Sequence, residues 1–583
     1  MGYRYLACLI GPGSETNWSE TNAAAAEALG RAGLQLRHAS ESVSIFTAPD
    51  TPVLRLQQGV VVGHIFLRSG RPATANDLPH SLDADALASH LLSQCWGDYL
   101  LLCPSSDSPH LIVMREPSGG VPCVYTRGGG LGIVTSDISL CGGFGVSRSE
   151  IDWDFIAQWL VFPHVKTVRT GLKHVNELLP GTSLLLTPDA AAVREVWSPW
   201  AFVECGHRHN VLGDAADDVR SAVQTVVAAW ADADRSLLLE LSGGLDSSIV
   251  ATCLRDTRAE LTCFNLSTPV PGADEQQYAE LMASELAVPL RLGTLRFEDA
   301  AFSFALPPHT ASPGVAALQH AVDQTMERAA ESFRTGSFFS GGGGDTVFGY
   351  LRTAAPAADA WRERGLAAGL ASVRNLSTLH QCTFWKASRL TLRKLRRPPR
   401  SALMEDRSFI PDSVIPGCPT PHPWTVPPAR AYAGDIERIT DLAGTQIFRD
   451  ITLRGTKRWM RLPLLSQPVV EACLRTPSWM WIAGGRNRAV ARAAFADQLP
   501  ASILDRRSKG SFAAYSGAVY RRSKQGMRAF LLEGQLRERG LLDVPALQAY
   551  FDAELAARDT SFMRIFALCM VENWVRNRTS SIK

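Results

Sequence analysis

The chain has 583 residues, of which 46% are hydrophobic and 20% charged, and its formal net charge is +2. That composition excludes a disordered chain, and the near-neutral balance gives no global reason to expect nucleic acid or a membrane surface as partner. The 12 cysteines are scattered, with no C-x-x-C pair or His-Cys cluster, so neither a disulfide framework nor structural zinc is expected and the protein reads as cytoplasmic and reduced.

The length provides for more than one domain. No apolar run approaches the ~20 residues that span a bilayer. The opening MGYRYLACLIGPG has too short an apolar core for a secretory signal and reads as a strand.

Residues 1 to about 205 carry short strand-like runs between turn residues: Arg4–Ile10, Gly59–Phe66, Tyr99–Cys103, Leu111–Arg115, Ile133–Thr135 and Leu184–Leu186. The pattern predicts a β-rich layered domain over 1–205. Composition turns polar around Glu204–Asn210, and a helix begins near Asp214 with helical apolar spacing over Ala215–Trp230. A second domain is therefore expected over 206–583.

Its first strand leads into LLLELSGGLDSSIVA (Leu237–Ala251). The spacing predicts an apolar strand from Leu237 to Leu241, a turn at Ser242, Gly243 and Gly244, and, after Leu245, the first turn of a helix at Asp246, Ser247 and Ser248. Glycines let an anion approach backbone N–H groups closely. The helix start aims unpaired amides and partial positive charge at the same spot. The serine hydroxyls add donors, and Asp246 is placed to hold a Mg²⁺ that bridges phosphate oxygens. This is a phosphate site, and it is not the G-x-x-x-x-G-K-[ST] loop, because no Lys follows the glycines.

Cys263–Ser267 is the next strand, and Ala273–Leu286 a helix opening with Asp274 and Glu275. Strands alternating with helices imply a parallel sheet with its site at the strand carboxyl ends. FFSGGGGDTVFGY (Phe338–Tyr350) then places a glycine run after an apolar strand and ends it in Asp345. Lys386–Arg400 is strongly basic and reads as a solvated helix face, with docking of an acidic peptide or partner protein as the alternative. His422–Trp424 begins a Pro-rich connector, Asp435–Asp450 reads as helical, and the helices of Pro545–Trp574 read as structural.

The S-G-G-L-D-S-S string behind its strand resembles the pyrophosphate loop, or PP-loop, of the ATP-pyrophosphatase superfamily. Members cleave ATP between its α and β phosphates to adenylate a substrate. In the first domain, WGDYLLL (Trp96–Leu102), MREPSGGVPCVY (Met114–Tyr125, with Glu116 where the signature has Asp), TSD (Thr135–Asp137) and ELLPG (Glu177–Gly181) resemble landmarks of the Ntn-hydrolase-like glutaminase domain of asparagine synthetase relatives.

The resemblance implies an α/β protein with a layered glutaminase-like domain followed by a PP-loop synthetase domain. Glutamine-hydrolysing members expose a Cys when Met1 is removed, whereas Gly2 stands here and Cys8 lies inside the first strand. Without that thiol glutamine has nothing to form a thioester with. The first domain is expected to be a scaffold without glutaminase activity.

The glycine run resembles the family's G-E-G-S-D-E loop, whose Asp helps bind Mg²⁺ and pyrophosphate. The resemblance implies ATP contacts at Gly341, Gly342 and Gly343 and a metal ligand at Asp345. Gly342 stands where asparagine synthetases have Glu and β-lactam synthetases have Tyr, and Thr346 replaces the last Glu, so the base for the second half-reaction is missing.

The end of the second strand, at Ser267, is implied to border the adenine. RLPLLSQPVVEACLRTP (Arg461–Pro477) resembles R-x-P-F-L-D, with Ser466 in place of Asp. Gly484–Phe512 resembles the segment whose R-x-K-x-G-F carries a Lys that reaches the phosphates and the tetrahedral intermediate, here Lys509.

Taken together, the motifs resemble lasso peptide macrolactam synthetases, the asparagine-synthetase-like cyclases. The resemblance implies ATP and Mg²⁺ as cofactors and a precursor core peptide as substrate. It also implies a leader-recognition protein and a leader protease as partners. An Asp or Glu side chain would be adenylated and then attacked by the peptide's own N-terminal amine. Holding such a peptide threaded fixes its backbone at ~1–2 kcal/mol per residue, so the enzyme is expected to supply a large shaped cavity. An ammonia-using asparagine synthetase, a β-lactam synthetase-like ligase and a non-catalytic partner in a peptide-maturation complex stay open. A tRNA-thiolating relative would need a reactive Cys pair and a basic nucleic-acid face, and neither is evident.

Overall fold

The computed structural model describes residues 2–11, 18–80, 82–105, 107–144, 150–163, 166–271, 275–314, 319–396, 405–449, 454–506, 510, 512–556 and 559–580. The first part of the chain forms two six-stranded antiparallel sheets. Period-2 alternation sorts their side chains into layers. From strand Tyr5–Ile10, Tyr5, Ala7 and Leu9 join Val62, Leu100, Leu102, Val113 and Leu184 of the second sheet in the layer between the sheets. Leu6 and Cys8 point the other way, with Phe46 and Ile133, onto helix Trp153–Val161. Both faces of the first strand are therefore covered, which is why the whole run is apolar.

The outer face of the second sheet, through Val61, Leu101, Cys103 and Met114, packs on helix Ala84–Gln94 and on helix Leu212–Asp234. The latter opens the second part of the chain, so one core runs across both. Trp96 stacks on Phe66 with ring centres 4.7 Å apart, and Trp230 meets both edge-on.

The second part is built on a five-stranded sheet in the order Leu290–Thr294, Glu260–Ser267, Ser236–Glu240, Ser337–Ser340, Trp459–Arg461. All its pairings are parallel. Leu238, Phe264 and Phe338 cover one face against Met326, Ala329 and Ala330 of helix Gln319–Phe333. Leu237, Leu239 and Phe339 cover the other, in the core that contains helix Leu245–Leu254. The PP-loop strand, Ser236–Glu240, is central.

The structure corrects several expected boundaries. The helix expected from Ala273 runs Gln276–Glu285, and Asp274 lies outside the described residues. Asp435–Asp450 resolves into helix Ala433–Thr445 and a 3₁₀ turn, Gln446–Phe448, with Asp450 outside the described residues. His422 and Trp424 are buried, and burial pushes the His422 imidazole down to about 3. Helices Ala355–Arg364 and Leu366–Leu379 and the strand Trp459–Arg461 were not anticipated.

The basic stretch is helix Phe384–Arg396, with Lys386, Arg389, Arg393 and Arg396 exposed and Lys394 paired to Glu437 at 2.5 Å. Arg397 to Arg400 lie outside the described residues. The closing helices, Ala513–Leu532, Val544–Asp552 and Phe562–Ser580, share a core with helix Trp153–Val161 of the first part. Among the described residues no helix is long and apolar enough to cross a membrane.

Candidate active site

The strand Ser236–Glu240 delivers the chain to Leu241, which is fully buried. The Leu241 N–H donates to Phe264 O at 2.9 Å, and its carbonyl accepts from the buried Asn265 Nδ2 at 2.9 Å. The turn then reverses through Gly243 at φ +71°, where a Cβ would lie 2.5 Å from Tyr278 Cβ. Glycine is needed there for both reasons. Helix Leu245–Leu254 starts on Gly244. The loop's hydroxyls brace it: Ser242 Oγ and Ser247 Oγ are 3.0 Å apart, Gly244 N–H donates to Ser242 Oγ at 3.3 Å, and Ser247 Oγ donates to Gly244 O at 3.2 Å.

The second glycine loop lies directly against this turn. A Cβ on Gly341 would sit 2.6 Å from Ser247 N, and one on Gly344 would sit 2.5 Å from Asp246 Cβ. Gly343, at φ +85°, is pressed on Leu465. The run is thus a close-packed seam between two loops. Gly342 differs, since a Cβ there would meet only the end of Leu462, at 3.1 Å, and the Ser340 hydroxyl, at 3.5 Å.

This seam brings Asp246 and Asp345 together. Arg488 Nη1 donates to Asp246 Oδ1 at 3.0 Å and Oδ2 at 3.1 Å, and to Asp345 Oδ1 at 3.0 Å. Its guanidinium carbon lies 5.3 Å from the Tyr350 ring centre. Two carboxylates converging on one cation are a hard-oxygen donor set that fits Mg²⁺, which is commonly held by one or two carboxylates plus phosphates. Among the described residues no group of three or more His, Cys, Asp and Glu is arranged to hold a metal by itself.

Sequence reasoning missed Arg488. Its signal was the pair Gly484–Gly485, both at positive φ, in a two-residue hairpin closed by reciprocal bonds between Ala483 and Arg486. Arg506 and Glu275 were also missed as a pair. They form an ion pair, Arg506 Nη1 donates to Gly243 O at 3.1 Å, and Gly510 N–H donates to Glu275 Oε1 at 2.7 Å. Lys509, expected between Arg506 and Gly510, lies outside the described residues.

The seam opens on a cavity of about 1490 Å³. Ser242, Gly244, Leu245, Asp246, Ser247, Gly341, Gly342, Gly343, Asp345 and Arg488 line it. Gly243 and Leu241 sit behind that lining. Ser248 is fully buried, with no partner for its hydroxyl, and Ser267 bonds Thr294 Oγ1 at 2.9 Å away from the cavity.

The far end of the cavity is lined by Gly2, Tyr3, Arg4, Asp98 and Gly120 of the first part and by Arg461 of the second. Gly2 has φ +137°, a backbone that L side chains rarely adopt. Cys8 is buried, its thiol donates to Ser44 O at 3.6 Å, and burial pushes it up to about 12. Arg461 grips Asp234 through Nε and Nη2 at 2.8 and 2.9 Å, and donates through Nη1 to Tyr3 Oη at 2.9 Å and Asp98 Oδ2 at 3.2 Å. It also lies 3.9 Å from the Trp230 ring centre. Burial and the adjacent Arg461 hold the His64 imidazole well below its ordinary value.

Comparison with known proteins adds the family. The pattern described as asparagine synthase matches residues 218–576. No curated protein matches the chain. Among solved structures, the chain is similar to the glutamine phosphoribosylpyrophosphate amidotransferase from B. subtilis complexed with ADP and GMP, at 10% identity and a TM-score of 0.22, over 50% of this chain and 65% of that one. It is similar to NMN synthetase from Francisella tularensis at 14% identity and 0.18, over 25% of this chain and 60% of that one. The structure of the allosteric regulatory enzyme of purine biosynthesis matches at 8% identity and 0.21, over 57% of this chain and 83% of that one. The chain thus spans less than two thirds of the first two. With the family pattern over most of its length and an S-G-G-L-D-S-S loop heading a parallel sheet, the chain belongs to the asparagine synthase family of ATP-dependent ligases.

Proposed function

We propose that the protein closes a macrolactam ring in a ribosomal peptide, as a lasso peptide cyclase. An Asp or Glu side chain of the peptide attacks the α-phosphate of ATP, pyrophosphate leaves, and the acyl adenylate is then attacked by the peptide's own N-terminal amine, releasing AMP. The observation that carries this reading is the cavity: about 1490 Å³, reaching from Asp246 and Asp345 to Gly2. Small-molecule pockets run to ~300–1,000 Å³, so this volume suits a folded peptide better than aspartate and ammonia.

In this reading Asp246 and Asp345 would hold Mg²⁺, which would supply positive charge against the phosphates. Ser242 to Ser247 cradle the pyrophosphate, Arg488 lies beside it, and Lys509 serves the adenylate and its breakdown. The glycine loop has no acid or phenol at Gly342 to take the amine's proton. A peptide α-amine, with a pKa near 8, is already neutral in substantial fraction at pH 7 to 8. Bound in one molecule with the adenylate, it also gains the advantage of an intramolecular reaction.

We assign residues 1–205 a scaffold role without glutaminase activity, and the chemistry to 206–583. A leader-recognition protein and a leader protease would supply the peptide in the cytoplasm.

The test is direct. With ATP, Mg²⁺ and the precursor core peptide, the peptide should lose one water and resist aminopeptidase. With aspartate and ammonium or glutamine, only background AMP should form. Stoichiometric asparagine in that second mixture, with an unchanged peptide, would replace the cyclase reading by an amide-synthetase one.

A further inference from the structure

We infer that Arg488 is a resident counter-cation that competes with the divalent ion for Asp246 and Asp345, and that its guanidinium passes to the phosphates when that ion takes the carboxylates. The inference rests on reading Asp246 and Asp345 as the metal-holding pair, and it adds what this chain itself does when the metal arrives.

One nitrogen, Nη1, lies within 3.0–3.1 Å of three oxygens that belong to two different loops. Mg²⁺ bonds oxygen at ~2.0–2.1 Å. An ion taking both carboxylates would lie among those same oxygens, beside a second positive charge. The two cations cannot both keep these contacts, so one leaves.

Arg488 is fastened in a way that lets it be the one to leave. Among the described residues its buried Nε has no acceptor, and its guanidinium also faces the Tyr350 ring. Arg492, four residues on, shows the opposite arrangement, since its nitrogens donate to the carbonyls of Asn487, Leu504 and Arg506. The Arg488 side chain also lines the cavity beside Ser242, Gly244 and Ser247. A planar guanidinium with its Nε donor uncommitted suits two oxygens of a phosphate. The backbone of Arg488 is left-handed, φ 55° and ψ 33°, an uncommon conformation for a non-glycine residue that has to be held by its surroundings. The side chain is thereby aimed across the seam and not along the helix that follows.

The structure therefore assigns Arg488 a positioning role with a measurable cost: it should weaken metal binding to the empty protein while aiding the reaction. Mn²⁺, visible by electron paramagnetic resonance as the free ion, is the probe. Without nucleotide, Arg488→Met should bind Mn²⁺ at least ~10-fold more tightly than the wild type, and its melting temperature should rise more at a given Mn²⁺ concentration. Asp246→Asn should abolish this binding. In ATP–pyrophosphate exchange, Arg488→Met should need less metal for half-maximal rate, yet reach a maximum at least ~10-fold lower. Arg488→Lys, which keeps the charge without the fork, should fall between in both measurements and serves if the methionine variant does not fold.

Mn²⁺ affinity in Arg488→Met equal to or below the wild type would overturn the competition, since Arg488 would then be assembling the metal site. Mn²⁺ binding that Asp246→Asn leaves unchanged would instead remove the metal-pair reading, and this inference with it.

Discussion

At the two ends of one cavity a buried arginine faces two carboxylates, and the two arrangements differ in what remains uncommitted. Arg461 uses all three side-chain nitrogens on Asp234, Asp98, Tyr3 and His64, and packs its flat face on Trp230. Arg488 touches Asp246 and Asp345 through a single nitrogen and keeps Nε without an acceptor. The first arrangement is saturated and joins the two parts of the chain. The second leaves Arg488 Nε without an acceptor among the described residues, beside an Asp345 side chain that is 39% exposed. The difference lies in the arginine: one is fully committed at a joint, and the other keeps a donor uncommitted beside the cavity.

The largest expected effect tests the reactive end. Asp246→Asn or Asp345→Asn should abolish ATP-dependent pyrophosphate release, because in the proposed reading each would remove one of the two carboxylates that hold the metal. Near-normal release from either variant would take that carboxylate out of the site. Lys509→Ala should stay folded and lose ~10²–10³ in cyclisation rate, the usual effect of one preorganised donor. Cyclisation within a few-fold of wild type would make Lys509 a surface charge.

The glycine seam sharpens the comparison further. Gly344→Ala forces a methyl against Asp246 at 2.5 Å and should lose most pyrophosphate exchange, whereas Gly342→Ala presses only on the end of Leu462 and should keep it within a few-fold. Equal behaviour of the two variants would mean that the loops part more readily than their packing implies.

At the saturated end, Arg461→Met leaves Asp234 buried without its cation and, among the described residues, Asp98 with only Arg449, 3.6 Å away. Such a loss typically costs ~3–5 kcal/mol, visible as a lower urea midpoint, while ATP affinity at moderate temperature should change little. The smallest effect concerns glutamine. Gly2→Cys should release no glutamate from it, because φ +137° strains any residue with a Cβ. Measurable glutaminase activity would show that only the thiol had been lost.

How much of this was legible in the sequence follows the distance over which each feature is decided. The PP-loop is local: strand, glycine turn and helix start lie within Leu237–Ala251, and the structure places them as expected. The layered first part was legible because Tyr5–Ile10 and its partner strands alternate or are apolar throughout. Arg488 was not, because it meets its partners 242 and 143 residues away and its segment resembles an ordinary basic turn. The strand Trp459–Arg461 is too short to stand out and forms because Ser337–Phe339 offers an edge to pair with. Glu275 reads as a helix-start charge and instead anchors Arg506 and Gly510, which no local pattern announces.

The shared core has a practical meaning for anyone cutting the gene. Helix Leu212–Asp234 shares the outer face of the second sheet with helix Ala84–Gln94, so a fragment ending near residue 205 would bare Phe66 and Trp96, which Trp230 meets edge-on. A contiguous apolar face of that kind drives aggregation. The second part, expressed alone, would in return bare Trp230, which packs on His64, Phe66 and Trp96. The two parts are thus held together by adhesion: a deletion that discards either one also exposes the hydrophobic face of what remains.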